Sequence, residues 1–274
     1  MIATRSIRYL VLGVAALLFL VPFYLLLRGA LSTQAQLVSV DHWTWFPTHP
    51  EWSNLKRIFT DSSVPLGRSL LNSAVIAVTQ TVLVLVISGM AGYGLARSTV
   101  RYANAVFYLI VATLLIPAAV TFVPSFVMVS TLGWVSTLRG LIVPGLFQSL
   151  ATFLFRQYFL GFPKELEEAA RIDGAGPMRT FRSIVVPNSL GFAAAIGTIT
   201  FIGSWNAFLW PLVIGQDQSS WTVQVSLSTY ITAQSVDIPG MFAAAIVSMV
   251  PLLLMFLFLQ RWIVEGVEQT GINE

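Results

Sequence analysis

Residues 69–96 read SLLNSAVIAVTQTVLVLVISGMAGYGLA, twenty-eight positions without one charged side chain. A helix needs about 20 mostly apolar residues to cross a hydrocarbon core of roughly 30 Å. This stretch is longer than one crossing requires, so tilt or a non-spanning lead-in is expected. Uncharged runs recur on both sides of it, at Tyr9–Leu27, Tyr102–Leu138, Gly140–Phe155, Ser183–Gln216 and Ile238–Gln260. Only 10% of the 274 residues are charged and 56% are hydrophobic, whereas a soluble domain is about a quarter charged. The expected fold class is therefore all-α: a polytopic membrane protein with six transmembrane helices.

The spans are placed at about 9–27, 69–96, 102–126, 137–155, 188–212 and 239–260, within a single transmembrane domain, 1–274. The first run is longer than a secretory h-region of about 7–15 residues, and is read as a retained helix. Pro117 and Pro124 predict a bent or broken third span, which membrane helices tolerate where neighbours satisfy the freed backbone groups. The Ser/Thr-rich stretch 130–140, with Gly133, is read as the turn before span four. Segments 28–68 and 218–236 are read as polar loops. With the N-terminus inside, Arg5, Arg8, Arg97, Arg101, Arg156, Lys164, Arg171, Arg179, Arg182 and Arg261 lie on the cytoplasmic side. Arg28, Lys56, Arg57, Arg68 and Arg139 lie outside. That bias predicts cytoplasmic N- and C-termini, and explains the pI near 9.4 without nucleic acid.

One stretch breaks the apolar pattern. Residues 163–183, PKELEEAARIDGAGPMRTFRS, concentrate mixed charge in the loop 156–187 between spans four and five. They read as two short helices around a glycine turn. Pro163 suits a first helical position. Glu165, Glu167 and Glu168 fall in or near the first turn, where the helix dipole favours negative charge. Leu166, Ala169 and Ala170 share a face. Gly174 and Gly176 permit a sharp change of direction, and Pro177 starts the second helix, with Met178, Phe181, Ile184 and Val185 as its apolar stripe. Pro187 ends it. On these grounds alone the loop fits an amphipathic segment lying on the bilayer and a docking knob for a soluble partner equally well.

Glu168, Ala169, Ala170, Gly174, Ile184 and Pro187 stand at the spacing EAA-x3-G-x9-I-x-x-P. This resembles the EAA loop of permease subunits of bacterial ATP-binding-cassette (ABC) importers, although Val186 stands where that family usually has Leu. Asp173 matches the longer form EAA-x-x-DGA. Residues 155–176 and SWNAFLWPL (204–212) resemble the carbohydrate-uptake branch, the maltose-type second permease, with Ala207 in place of an acidic residue. The resemblance implies an ABC importer type I permease fold and a binding-protein-dependent transport system importing a sugar or sugar derivative. Its implied partners are a second permease forming a heterodimer, two ATP-binding-cassette ATPase subunits and an extracytoplasmic solute-binding protein. In the family the EAA loop sits in a cleft of the ATPase. Glu168 would meet a basic or polar group there, Ala169 and Ala170 would allow close approach, and Gly174 would make the turn. It also implies a bacterial inner membrane location and a loop between spans five and six (217–237) that reaches the binding protein. ATP and Mg would be used by the partner ATPase subunits, with no cofactor bound by this chain.

Two alternatives stay open: an importer permease for a non-sugar solute such as a glycerol phosphate, and a stand-alone secondary carrier. A Walker A motif needs Gly-Lys-[Ser/Thr], but Lys56 and Lys164 follow Leu and Pro, so hydrolysis by that route is excluded. The spans lack interior Asp, Glu, Lys, Arg and His, the relay groups of proton-driven carriers; sodium coupling through backbone carbonyls is not excluded. A phosphorylated cargo would favour basic groups along the path. No cysteine is present, which removes disulfides and thiolate chemistry. Asp41, His42, His49 and Glu51 fit no metal-ligand spacing, so no metal and no catalytic residue is expected. Trp43, Trp45, Phe46 and Trp52 are read as an interfacial aromatic belt. SGMAGYG (88–94) and GFAAAIG (191–197) are read as close helix packing. Asn72, Gln80, Gln148, Trp205 and Asn206 are candidates for the translocation path, with bonding between helices as the alternative for the amides.

Overall fold

In a computed structural model of the chain, residues 2–38, 44–232 and 236–271 are described, those at 2–4, 6 and 261–271 by backbone alone. Asp41, His42 and Trp43 lie outside the described residues. In chain order the helices are α1 (Ile2–Ala30), α2 (Gln34–Val38), α3 (Ser53–Thr60), α4 (Leu66–Arg97), α5 (Ala103–Thr113), α6 (Ala118–Thr131), α7 (Leu138–Ile142) and α8 (Ser149–Leu160). They continue as α9 (Lys164–Ile172), α10 (Pro177–Thr180), α11 (Val186–Asn188), α12 (Leu190–Trp205), α13 (Leu209–Ile214), α14 (Val223–Ser228) and α15 (Ile238–Gly271). No strand occurs among the described residues, apart from an isolated bridge between Ile231 and Val236.

Among the described residues, three helices are long and apolar enough to cross a membrane unbroken: Ile7–Ala30, Leu66–Arg97 and Ile238–Gln260. Three further candidates are bent pairs. Ala103–Thr113 and Ala118–Thr131 meet at 96°, Leu138–Gly145 and Ser149–Leu160 at 42°, and Pro177–Asn188 and Leu190–Trp205 at 76°. The first break falls at Pro117, which caps α6. Proline lacks an N–H and pushes its predecessor out of helical conformation. Pro124 lies inside α6 without breaking it. The third bend follows a wide π-type turn, Phe181–Val185. Pro187 sits within the last helical turn, and the break comes two residues later, at Ser189. Two carbonyls near the proline accept from side chains: Asn188 Nδ2 donates to Ile184 and Ser189 Oγ to Val185, each at 2.7 Å.

The chain divides into two compact units. The first comprises residues 1–70 and 223–251. Its polar connections are more ordered than expected, because each finds a partner for its backbone and amides. Asn54 on α3 donates to the carbonyls of Ala30 and Ser32, both at 3.0 Å. Ser69 Oγ lies 2.7 Å from Ser226 Oγ on α14, and Arg57 pairs with Asp237 at 2.9 Å. Segments 28–68 and 218–236 therefore carry α2, α3 and α14 instead of being plain loops. Burial pushes the Tyr230 hydroxyl up to about 12. The side chains of α1 are mostly exposed, Leu10, Leu18 and Phe19 among them, as suits a helix facing lipid or a partner.

The second unit comprises residues 71–222 and 252–274. One apolar cluster joins Val84, Ala151, Phe155, Phe159, Val185 and Ile196; another joins Ile76, Val129, Leu141 and Ile214. Gly92 makes the first possible: a Cβ there would stand 2.6 Å from Phe155 Cβ and 2.8 Å from the Arg156 nitrogen. Only glycine allows α4 and α8 so close. Gln80 braces the same unit. Its amide nitrogen, Nε2, donates to the Leu141 and Ile142 carbonyls at 3.1 and 3.0 Å, and its Oε1 accepts from Ser204 Oγ at 2.6 Å. Gln80→Leu strands two carbonyls and a hydroxyl. A loss of about 1–2 kcal/mol is expected, read as earlier thermal unfolding of the purified protein.

Candidate functional site

The charged loop is built around a left-handed residue. Gly174 has φ +78°. Its N–H donates to the Arg171 carbonyl at 3.0 Å, and the Ala175 N–H to the Ala170 carbonyl at 2.9 Å. These are the two bonds of a Schellman motif, which satisfies the last carbonyls of a helix and turns the chain. Gly176 is extended ahead of Pro177, the conformation that a following proline favours, and Pro177 opens α10. Pro163 stands one position earlier than expected, as the N-cap of α9.

The inward face of α9 differs from the one its sequence suggests. Ala170 is buried, but Leu166 and Ala169 face outward. The second inward residue is Glu167, only 3% exposed. Its Oε1 accepts from Arg97 Nε at 2.8 Å and lies 2.7 Å from Arg97 Nη2. Its Oε2 accepts from Tyr93 Oη at 3.0 Å. Arg97 Nη2 also donates to the Phe162 carbonyl at 3.0 Å. The Tyr93 ring is held between Phe159 and Phe181, with centroids 5.5 and 4.8 Å away. A buried carboxylate is tolerated only when paired and hydrogen-bonded, and α4 supplies both. Dipole stabilisation at the helix start is thus not the main role of Glu167.

Glu168 points the other way. With Ala169, Asp173 and Ile172 (87% exposed) it forms an outward surface, continued on α10 by Met178. Met178 therefore leaves the expected apolar stripe, which consists of Phe181, Ile184 and Val185, the last fully buried. Pro187 is exposed. The loop presents one polar and apolar outer face, while a buried ion pair ties its inner face to the end of α4.

Asn72 donates to the Ser219 and Trp221 carbonyls, both at 2.9 Å. Gln148 precedes α8, and its carbonyl accepts from Thr152. Trp205 is 1% exposed and stacked on Phe201 at 5.9 Å. Asn206 ends α12. Gln80 lines a cavity of about 280 Å³, together with Thr121, Phe122, Ser125, Pro144 and Trp210. Phe122 and Trp210 stand edge to face at 5.6 Å, and the Trp210 indole donates to the Gly140 carbonyl at 3.0 Å. The sequence reading missed Thr121, Phe122, Ser125 and Trp210. The first three share one face of α6, just past the Pro117 break, and that spacing was the available signal.

Residues 84–269, which contain the whole loop, match the family described as binding-protein-dependent transport system inner membrane component. The chain belongs to this family. It is a multi-pass inner-membrane permease of an ABC importer and not an enzyme, which sets aside the stand-alone carrier. The permease is 35% identical over 264 residues to the sn-glycerol-3-phosphate transport system permease protein UgpE of Yersinia pestis bv. Antiqua (strain Antiqua), covering 94% of both chains. It is 36% identical to the protein of that name from Pectobacterium atrosepticum, over 94% of this chain and 92% of the relative. With the one from Brucella abortus (strain 2308) the identity is 32%, over 95% and 94%. Among solved structures, the fold matches a chain of a bacterial ABC transporter involved in the import of the acidic polysaccharide alginate. The TM-score is 0.81 at 21% identity, over 94% of this chain and 95% of that one.

Proposed function

We propose that this permease forms a heterodimeric translocation pathway with a second permease and carries a sugar or sugar derivative inward. Two ATPase subunits supply the energy and an extracytoplasmic binding protein delivers the cargo. The N- and C-termini and the loop 156–187 face the cytoplasm, which puts the outward surface of α9, Glu168 with Ala169, Ile172 and Asp173, against the ATPase. ATP and Mg are held by the ATPases. Their closure on ATP moves α9 and switches the paired permeases from inward- to outward-facing. The match to sn-glycerol-3-phosphate permeases over 94% of both chains supports a small polyhydroxylated cargo, the chemistry shared by sugars and glycerol phosphates. The cavity beside Gln80 supports it: an indole, a phenyl ring, two hydroxyls and no charged side chain line it, a set suited to polyols. The names of the relatives favour glycerol 3-phosphate, the non-sugar alternative raised by the sequence, as a second reading.

Purifying the tagged permease gently from native membranes should bring down an ATPase and a second permease. A solitary chain, reproduced in a milder detergent, would sink the reading. In proteoliposomes holding the complex and its binding protein, uptake of labelled glycerol 3-phosphate is then compared with a panel of neutral sugars. Transport of none of them would remove the cargo class. Trp210→Ala is expected to raise the cargo KM about fivefold or more, since aromatic contacts contribute roughly 1 kcal/mol each. An unchanged KM would detach the cavity from the path.

A further inference from the structure

Glu167 and Glu168 are neighbours in sequence, but the fold gives them opposite surroundings. Glu168 is exposed, while Glu167 is buried against Arg97 and Tyr93, the two residues that end α4 on that side. α4 is a continuous helix of 32 residues, so a displacement of its end is carried along its length. The ion pair is desolvated on both sides, with side-chain exposures of 13% for Arg97 and 3% for Glu167. Arg97 also holds the Phe162 carbonyl just before α9, so α9 is gripped at its first turn and at the segment leading into it. A second element of the loop joins in, since Phe181 packs on the Tyr93 ring. Breaking such a pair leaves an uncompensated buried charge, so the contact resists opening under load.

We infer that the Glu167–Arg97–Tyr93 cluster is a positioning joint that transmits motion of the coupling helix α9 into the spanning helix α4. This rests on the proposed role of the loop at the ATPase. Glu168 and its exposed neighbours receive the stroke, and Glu167 hands it on. Arg97, Tyr93 and Glu167 are positioning residues, because each acts through its contact between α4 and the loop.

The absence of cysteine makes the test direct. In the complete importer in lipid nanodiscs, spin labels are placed at Lys164→Cys on α9 and Val86→Cys on α4, two exposed positions outside the surface assigned to the ATPase. The distance between them is measured without nucleotide and in the ATP/vanadate-trapped state. The joint predicts one narrow distribution that shifts by less than about 2 Å, whereas parting of the two helices shifts it by about 5 Å or more. The wild-type measurement alone can therefore overturn the joint. In Glu167→Gln the distribution should broaden, and stimulation of ATP hydrolysis by the binding protein should fall about tenfold. Arg97→Lys, which keeps the charge, should recover part of both. A merely structural role would lower the yield of assembled Glu167→Gln complex but leave wild-type distances and stimulation in what assembles, and that outcome also overturns the joint. Failure of any ATPase to co-purify with the unmutated chain overturns the parent reading instead.

Discussion

Arg97→Ala is expected to deplete the folded permease from membranes where the unmutated chain accumulates. The substitution leaves the Glu167 carboxylate, 3% exposed, with only the Tyr93 hydroxyl as partner. Removing one member of a buried ion pair costs about 3–5 kcal/mol, a large share of the 5–15 kcal/mol typical of a folded protein. Glu167→Ala should cost a similar amount, because it strands the guanidinium instead. Replacing both at once, Arg97→Met with Glu167→Leu, should recover most of the loss, since apolar substitutes of similar volume are often neutral. The double variant therefore separates stability from coupling: it should accumulate and assemble, yet transport poorly. Thermal unfolding of the purified complexes, followed by intrinsic tryptophan fluorescence, reads the first part, and uptake in proteoliposomes reads the second. Equal midpoints for Arg97→Ala and the unmutated complex would refute the buried-pair argument.

Gly174→Val should break coupling by a different route. Nothing lies within 4 Å of a Cβ built on Gly174, so there is room for a side chain. The obstacle is the backbone at φ +78°, a conformation that a β-branched residue adopts at a cost of about 1–3 kcal/mol. The turn would open, the Schellman bonds at Arg171 and Ala170 would weaken, and α10 would leave α9 in a new direction. The outer surface formed by Ile172, Asp173 and Met178 would then no longer match its partner. The expected result is an assembled complex that hydrolyses ATP with little cargo uptake, a drop of about tenfold or more in cargo moved per ATP. Gly174→Asn, which tolerates left-handed backbone better, should retain much more of it. Equal loss in both variants would point to a packing cause.

Much of the architecture was legible because membrane insertion depends on contiguous properties. The uncharged run 69–96 became most of one continuous helix, α4, because transfer of apolar residues into lipid sums along the chain. Pro117 marked a real break because proline acts on its own residue and its predecessor. Pro124, of the same type, did not break its helix, since α6 continues through it. The segments read as polar loops held α3 and α14. Their helices depend on anchors such as Ala30 for Asn54 and Ser69 for Ser226, which local composition does not reveal.

The loop 156–187 shows the division most clearly. By itself the sequence determined the turn at Gly174 and the start at Pro177, because φ sterics and a missing N–H are properties of single residues. It also determined that Glu168 stands in the family motif. It left open which glutamate of α9 turns inward. That was decided by Arg97, 70 residues away, and by Tyr93 beside it. It likewise left open what Gln80 bonds to, and the carbonyls of Leu141 and Ile142 answer that: its amide braces helices while its side chain also lines the cavity. Burial of a polar group is favourable only where a partner waits. The partner of a side chain in the interior is chosen by tertiary structure, whereas hydropathy and backbone conformation are written in the neighbouring residues.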